Sequence, residues 1–182
     1  MNLNYIKECI HLEVIGSDHN FSWRKALTRT RNNPNKYFVF WWRIACYLYA
    51  KGGFYKSIAK RIQRKKLQKY NVTIPLTVEI GKGLNIAYLS GVVIGLGCKI
   101  GENCNIKPGV VIGLKEKGGP MDISIGDNVT IGCNTSIIGG VLAIGDNVTI
   151  GAQSLVIGDI PPNSVYVNKV SPIIISKNKE SD

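Results

Sequence analysis

Histidine is scarce in this chain: its 182 residues hold two, His11 and His19, both within the first twenty. Imidazole is the commonest protein ligand for metals and the usual general base near neutral pH. No metal is therefore expected on the rest of the chain, and any base there must be another group. The five cysteines (Cys9, Cys46, Cys98, Cys104, Cys133) are odd in number, with no C-x-x-C and no histidine pair nearby. That pattern argues for reduced thiols in a cytosolic setting, against a zinc site or a disulfide framework. No apolar run approaches the roughly 20 residues of a membrane span. The start, MNLNYIKECIHLEV, lacks the basic opening and long apolar stretch of a signal peptide.

Acidic residues are missing from one stretch. Between His19 and Val78 there are 14 Lys or Arg and no Asp or Glu, whereas from Glu79 onward 8 basic residues face 9 acidic ones. The net charge of +11 thus belongs to an N-terminal segment. Residues 1–20 read as a short amphipathic helix or a poorly ordered arm. FSWRKALTRTR (21–31) reads as helix, with Asn32-Asn33-Pro34 as a stop or a new start. KYFVFWWRIACYLYA (36–50) is the most apolar segment, interrupted by Arg43 and closed by Gly52-Gly53. FYKSIAKRIQRKKLQKY (54–70) spaces Tyr55, Ile58, Ile62 and Leu67 at helical intervals with basic groups opposite. One reading packs these aromatic stripes on each other and on the next domain. A second adds peripheral contact of residues 19–70 with anionic lipid headgroups. Nucleic acid is not expected, since no recognition pattern accompanies the charge.

The rest of the chain is organised by a repeat. IGDNVTIG occurs twice, at 125–132 and 144–151. Around it an aliphatic recurs about every six positions: Ile74, Ile80, Ile86, Ile94, Ile100, Ile106, Ile112, Ile125, Ile131, Ile137, Ile144, Ile150 and Val156. Six fits neither a helix nor an alternating strand; it is the period of a hexapeptide parallel β-helix. Three hexads make one triangular coil of about 18 residues around a shared interior. Gly after the aliphatic, and Asn or Asp further on, suit corners of positive φ. The organisation expected is a mainly β protein: a helical, basic segment over 1–71, a β-helix over 72–160, and an extension and tail over 161–182. Pro161-Pro162 is read as the end of the solenoid, with the chain then running back along one face.

Breaks in the period mark excursions from corners. Ile86 to Ile94 is eight residues, and Ile112 to Ile125 is thirteen. A solenoid takes insertions only at its corners, and these usually build the binding face. Function is therefore sought at 85–91 and 113–124.

These coils resemble the hexapeptide-repeat acyltransferases, and the insertion pattern is most similar to serine acetyltransferases and their surface-polysaccharide relatives. The similarity covers about Ile74 to Ile173. A W-R pair in the aromatic helix, Trp42-Arg43 here, extends it upstream. The resemblance implies a left-handed β-helix, a homotrimer, and transfer of an acetyl group from acetyl-CoA to a hydroxyl at sites between subunits. It also implies a histidine where this chain has Tyr88, preceded by Ala87 instead of an acid. A second histidine of an Arg-His pair is expected where Met121-Asp122 stand. In the late coils, Gly132, Cys133 and Asn134 with Gly151 and Ala152 fall where relatives line the pantetheine of the donor. Cys133 takes the place of an alanine there, and its alternative reading is a corner thiol without a role. Lys169 stands near the basic residue that meets the CoA phosphates.

The missing imidazoles matter chemically. Acetylating a hydroxyl calls for a base that is neutral near pH 7, and acid–base help contributes about 10²–10⁴-fold. A phenol of pKa near 10 is roughly one part in a thousand phenolate at pH 7. A carboxylate is ionised but a weak base unless desolvation raises its pKa. Three readings stay open: Tyr88 and Asp122 act as a substitute pair, His19 reaches a neighbouring subunit, or the chain is a non-catalytic binding or assembly homologue. Ala87 and Met121 cannot supply charges for an amino acid, so a sugar hydroxyl of a bacterial surface polysaccharide or its precursor is the expected acceptor. The location expected is cytoplasmic, and the lipid-contact reading of residues 19–70 would add peripheral attachment at the inner face of the cell membrane.

Overall fold

The structure, a computed structural model, describes residues 2–113, 122–169 and 171. Residues 72 onward wind into a parallel, left-handed β-helix of about four turns, as the repeat predicts. Each short strand sends two side chains inward, two residues apart: Val78 with Ile80, Leu84 with Ile86, Val92 with Ile94, and onward to Val148 with Ile150. Every repeat aliphatic from Ile74 to Val156 is buried. Successive rungs pair in register, so identical interior positions stack into one continuous core.

The prism has three faces. We call the first the valine face; it holds β1 (Asn71–Thr73), β4 (Ser90–Ile94), β7 (Val111–Gly113), β10 (Ser136–Ile138) and β13 (Leu155–Val156). The lysine face holds β2 (Glu79–Ile80), β5 (Cys98–Ile100), β8 (Asp122–Ile125) and β11 (Val141–Ile144). The threonine face holds β3 (Asn85–Ile86), β6 (Asn105–Ile106), β9 (Thr130–Ile131), β12 (Thr149–Ile150) and β14 (Val165–Tyr166).

The edge between the lysine and threonine faces is an asparagine ladder. Asn103, Asn128, Asn147 and Asn163 all hold φ between 55° and 58°. Each donates a side-chain hydrogen bond to the next, at 3.1, 3.2 and 3.0 Å. Asparagine suits this edge because it tolerates left-handed backbone and carries both a donor and an acceptor. Pro161-Pro162 occupies a corner of the same edge and does not end the solenoid. The chain continues into β14, which pairs with β12 instead of running back along a face.

The N-terminal segment is a cap on the first coil. Residues 3–15 are ordered into it: α1 (Leu3–Ile10) starts at Asn2, whose side chain accepts from the Tyr5 amide at 2.8 Å, and a wide turn over His11–Ile15 ends at Gly16. Next come α2 (Trp23–Arg31), α3 (Pro34–Lys51) and α4 (Gly53–Ile62). Asn33 caps α3 by accepting from the Lys36 amide, with Pro34 in the first turn where its missing N–H costs nothing. Gly52 and Gly53, at φ of 79° and 51°, supply the left-handed backbone between α3 and α4.

Helix α3 joins the two parts. Phe38, Val39, Trp42 and Cys46 pack into the solenoid core with Val72, Ile74 and Val78, closing the apolar end that the first coil leaves open. Phe40 packs in a separate cluster with Ile6, Ile10, Val14, Ile15 and Ala26. Arg43, the charge inside the apolar run, is fully buried against Glu13. Its Nε and Nη2 donate to the two Glu13 oxygens at 2.9 and 2.5 Å, and Nη1 and Nη2 donate to the Ile80 and Gly81 carbonyls at 2.8 and 2.6 Å. The Leu84 amide donates to Glu13 at 3.0 Å. Burial works against the charge on Arg43, and the Glu13 carboxylate more than offsets it, raising its pKa. Burial pushes Glu13 upward, and the Arg43 guanidinium and the Leu84 amide work against that shift.

Candidate functional site

The edge between the threonine and valine faces gathers most of the residues singled out in the sequence. Backbone amides link its rungs: Ala87 donates to Ile106, Lys107 to Ile131, Gly132 to Ile150 and Gly151 to Tyr166, at 2.8–3.1 Å. This chain of bonds stacks, from first coil to last, Ala87-Tyr88, Lys107-Pro108, Gly132-Cys133, Gly151-Ala152 and Val167-Asn168-Lys169. We call it the tyrosine edge. Four rung spacings separate Tyr88 from Lys169, roughly 19 Å.

Tyr88 and Leu89 are the two extra residues of the eight-residue step. Ser90 pairs again with the coil below, accepting from the Gly109 amide at 2.8 Å. The excursion puts Tyr88 at φ 60° with its side chain 75% exposed. Left-handed backbone at a residue other than Gly or Asn is costly and is found most often where function requires it.

Further down the edge, Cys133, Asn134, Ala152 and Gln153 are exposed. A Cβ added at Gly132 would overlap the Ala152 backbone amide, so the rungs touch there main chain to main chain. Asn134 and Gln153 take φ of 56° and 57°. At the last rung, Asn168 accepts from the Leu155 amide at 2.7 Å and the Tyr166 hydroxyl donates to the Leu155 carbonyl at 2.8 Å. These bonds fix the segment carrying exposed Lys169 to the end of the edge.

Asp122 is on a different edge. It opens β8 directly after the long insertion, at the border of the valine and lysine faces. Its side chain is exposed and lies 4.0 Å from Lys99 Nζ. One chain therefore does not bring Tyr88 and Asp122 together. Met121, expected beside Asp122, and most of the insertion lie outside the described residues. Neither histidine is on the solenoid: His11 Nε2 donates to the His19 carbonyl at 2.5 Å, within the cap. Among the described residues no cluster of His, Cys, Asp or Glu could hold a metal.

Of the cavities that adjoin the cap, two hold charged side chains together with tyrosines. The larger, ≈ 760 Å³, lies between α1, α3 and the lysine face, with Tyr5, Tyr49, Glu79 and Lys99 in its walls. A smaller one, ≈ 280 Å³, is lined by Thr30, Arg31, Pro34, Tyr37, Lys69 and Tyr70, the last directly preceding β1. Sequence reasoning found neither; the residues of the second come from three separate helical or turn segments. It also missed the Glu13–Arg43 pair, although a lone arginine in an apolar run was a readable signal for a buried partner.

No protein-family model matches the chain. Among curated proteins it is 34% identical over 87 residues to serine acetyltransferase 1 of Arabidopsis thaliana, covering 47% of this chain and 28% of that protein. It is 46% identical over 65 residues to serine acetyltransferase of Staphylococcus epidermidis, covering 35% and 30%. It is also 39% identical over 72 residues to a UDP-3-O-acylglucosamine N-acyltransferase of Paracidovorax citrulli, covering 33% and 22%. The chain thus spans less than a third of the length of these relatives. Among solved structures, it superposes on serine acetyltransferase of Neisseria gonorrhoeae in complex with serine with a TM-score of 0.74 at 29% identity, covering 92% of this chain and 68% of that one. For serine acetyltransferase isoform 3 of Entamoeba histolytica the TM-score is 0.73 at 26% identity, covering 96% and 61%. The match spans cap and solenoid together, and the chain is similar over nearly its whole length to the hexapeptide-repeat serine acetyltransferases.

Proposed function

We propose that the chain is an acetyl-CoA-dependent O-acetyltransferase, active as a trimer, whose acceptor is a sugar hydroxyl of a bacterial surface polysaccharide or its precursor. The observation that carries this reading is the position of the two candidate edges. Tyr88 and Asp122 stand on the two borders of one face, the valine face, whose outward side chains Val93, Leu155 and Ile157 are apolar and exposed. Three copies turning that face toward a common axis bury it and set the tyrosine edge of each against the Asp122 edge of the next. Three equivalent sites follow, each needing two chains.

Acetyl-CoA fits the tyrosine edge. The small exposed side chains of Cys133 and Ala152, with Gly132 and Gly151, leave the backbone open to an extended pantetheine, and Asn134 adds a polar group. Lys169 supplies positive charge for phosphate at the far end. The donor contributes an activated acetyl thioester. The chain's residues position the acceptor, whose oxygen bonds to the acetyl carbon as the carbon–sulfur bond breaks, its proton ending on the CoA sulfur. Tyr88 relays that proton, with Asp122 of the neighbouring copy accepting hydrogen bonds and balancing charge.

The relatives support acyl transfer, and their names divide between serine and an acylated glucosamine as acceptor. We favour the sugar because Ala87 lacks the acid an amino acid's ammonium would require. Residues 19–70 suit a lipid-borne acceptor: α4 exposes Phe54 and Tyr55 beside Lys56, Lys60 and Arg61, a combination that favours anionic membrane surfaces. Among the described residues no helix is long and apolar enough to cross a membrane. A second reading, a non-catalytic binding or assembly protein, is favoured by the absence of imidazole from the solenoid and by the His11–His19 contact within the cap.

Isothermal titration with acetyl-CoA and CoA separates the two. Micromolar binding with acetyl transfer to an oligosaccharide, lost about 10²-fold in Tyr88→Phe, supports the enzyme. A folded trimer that binds neither ligand sinks it and favours the second reading.

A further inference from the structure

The ≈ 280 Å³ cavity has Tyr70 in its wall, directly before β1, and β1 pairs with β4, which begins two residues after Tyr88. Asn71, the residue after Tyr70, pairs with Ser90, two residues after Tyr88. Tyr70 and Leu89 pack on the same core cluster. Lys69 Nζ lies over two rings at once, 5.0 Å from the centre of Tyr37 and 4.9 Å from that of Tyr70. Arg31, exposed at the end of α2, forms the opposite lining.

The cavity is positive and has no internal counter-charge. Among the described residues its lining holds two cations and no carboxylate. Among the described residues neither Arg31 nor Lys69 takes part in a salt bridge, and the surrounding sequence from 19 to 78 contains no acid. Two aromatic rings steady the lysine and present apolar faces at the same place. A guanidinium and an ammonium around an aromatic-walled hollow are suited to an oxyanion attached to a ring-shaped body. On the donor placement proposed above, the phosphates fall to Lys169 at the other end of the edge, roughly 19 Å away, and do not account for this charge.

Resting on the acetyltransferase reading above, we infer that the acceptor is an acidic saccharide, whose carboxylate or phosphate is held by Arg31 and Lys69 while a hydroxyl of the same sugar lies at Tyr88. The site accordingly selects a charged sugar over a neutral one. The two sources of charge, a uronic acid and a sugar phosphate, share this recognition and differ in the geometry of the oxyanion.

The test is calorimetric titration of the full chain with glucuronate, glucose 1-phosphate, methyl glucoside and L-serine, alongside acetyl-CoA as a separate channel. The expected result is that one or both anionic sugars bind at least about ten-fold more tightly than methyl glucoside and L-serine. Arg31→Ala and Lys69→Gln each weaken that binding by about ten-fold or more, whereas Lys7→Ala does not. Acetyl-CoA affinity and the melting temperature stay as in the parent for all three variants. Preference for glucuronate identifies a carboxylate sugar, and preference for glucose 1-phosphate a phosphorylated one. Equal binding of the neutral sugar, tighter binding of L-serine, or variants indistinguishable from the parent overturns the inference. Binding of the anionic sugars without any of acetyl-CoA would retain the anion site and reject the transferase reading, so the two failures are distinct.

Discussion

Arg43 and Glu13 form a fully buried, two-pronged ion pair that ties the cap to the first coil. The guanidinium spans from α3 to the Ile80 and Gly81 carbonyls, and the carboxylate reaches the Leu84 amide. The pair therefore does for the cap what a backbone ladder does between coils.

Removing one partner leaves the other charge uncompensated in the core. Arg43→Ala is expected to lower unfolding free energy by about 3–5 kcal/mol. Replacing both, as Arg43→Met with Glu13→Leu, recovers much of that loss. Urea denaturation followed by circular dichroism measures it; a single-variant change under half a kcal/mol would show that the pair is not a clamp.

Tyr88→Gly is expected to keep the stability of the parent to within about 0.5 kcal/mol. Relief of left-handed backbone at φ 60° offsets the entropy that glycine adds to the unfolded chain. The side chain is exposed, so little packing is lost. Thermal melts test this: a fall of several degrees would mean that Tyr88 is held for packing and not for chemistry.

The asparagine ladder gives a contrasting case. Asn128→Ala keeps a non-glycine residue at φ 57° and removes side-chain hydrogen bonds to Asn103 and Asn147, for an expected loss of about 1–2 kcal/mol. Asn128→Gly restores the backbone freedom and should cost clearly less. Equal losses in the two variants would assign the effect to the hydrogen bonds alone.

Thiol chemistry should single out one cysteine. Burial pushes Cys46 and Cys104 up to about 12, and Cys9 and Cys98 to about 11, whereas Cys133 is exposed. A disulfide reagent at pH 8 is expected to label Cys133 alone in the folded protein and all five cysteines after denaturation. Acetyl-CoA should slow the labelling of Cys133 if the pantetheine lies along the tyrosine edge. Undiminished labelling at saturating acetyl-CoA would move the donor elsewhere.

The solenoid was legible because one physical requirement repeats. Each rung must bury an aliphatic and turn a corner, so Ile74 through Val156 and the corner asparagines appear at fixed intervals in the sequence. The excursion at Tyr88-Leu89 was equally visible, as two residues too many. The lone Arg43 could be noticed but not paired, since Glu13 lies thirty positions away with no period linking them. The chain's course past Pro161-Pro162 was misjudged for a related reason: proline breaks a regular helix or strand interior but fits a solenoid corner.

Sequence by itself thus determined the fold, its core and the points where it departs from regularity, because these depend on short-range periodic constraints. Tertiary structure alone decided which of the marked residues share an edge. Tyr88, Cys133, Ala152 and Lys169 align because coils stack, Asp122 falls on another border of the same face, and Arg31 meets Lys69 and Tyr70 where separate segments of the cap converge. Such proximities are set by how elements pack in three dimensions, which residue spacing along the chain does not encode.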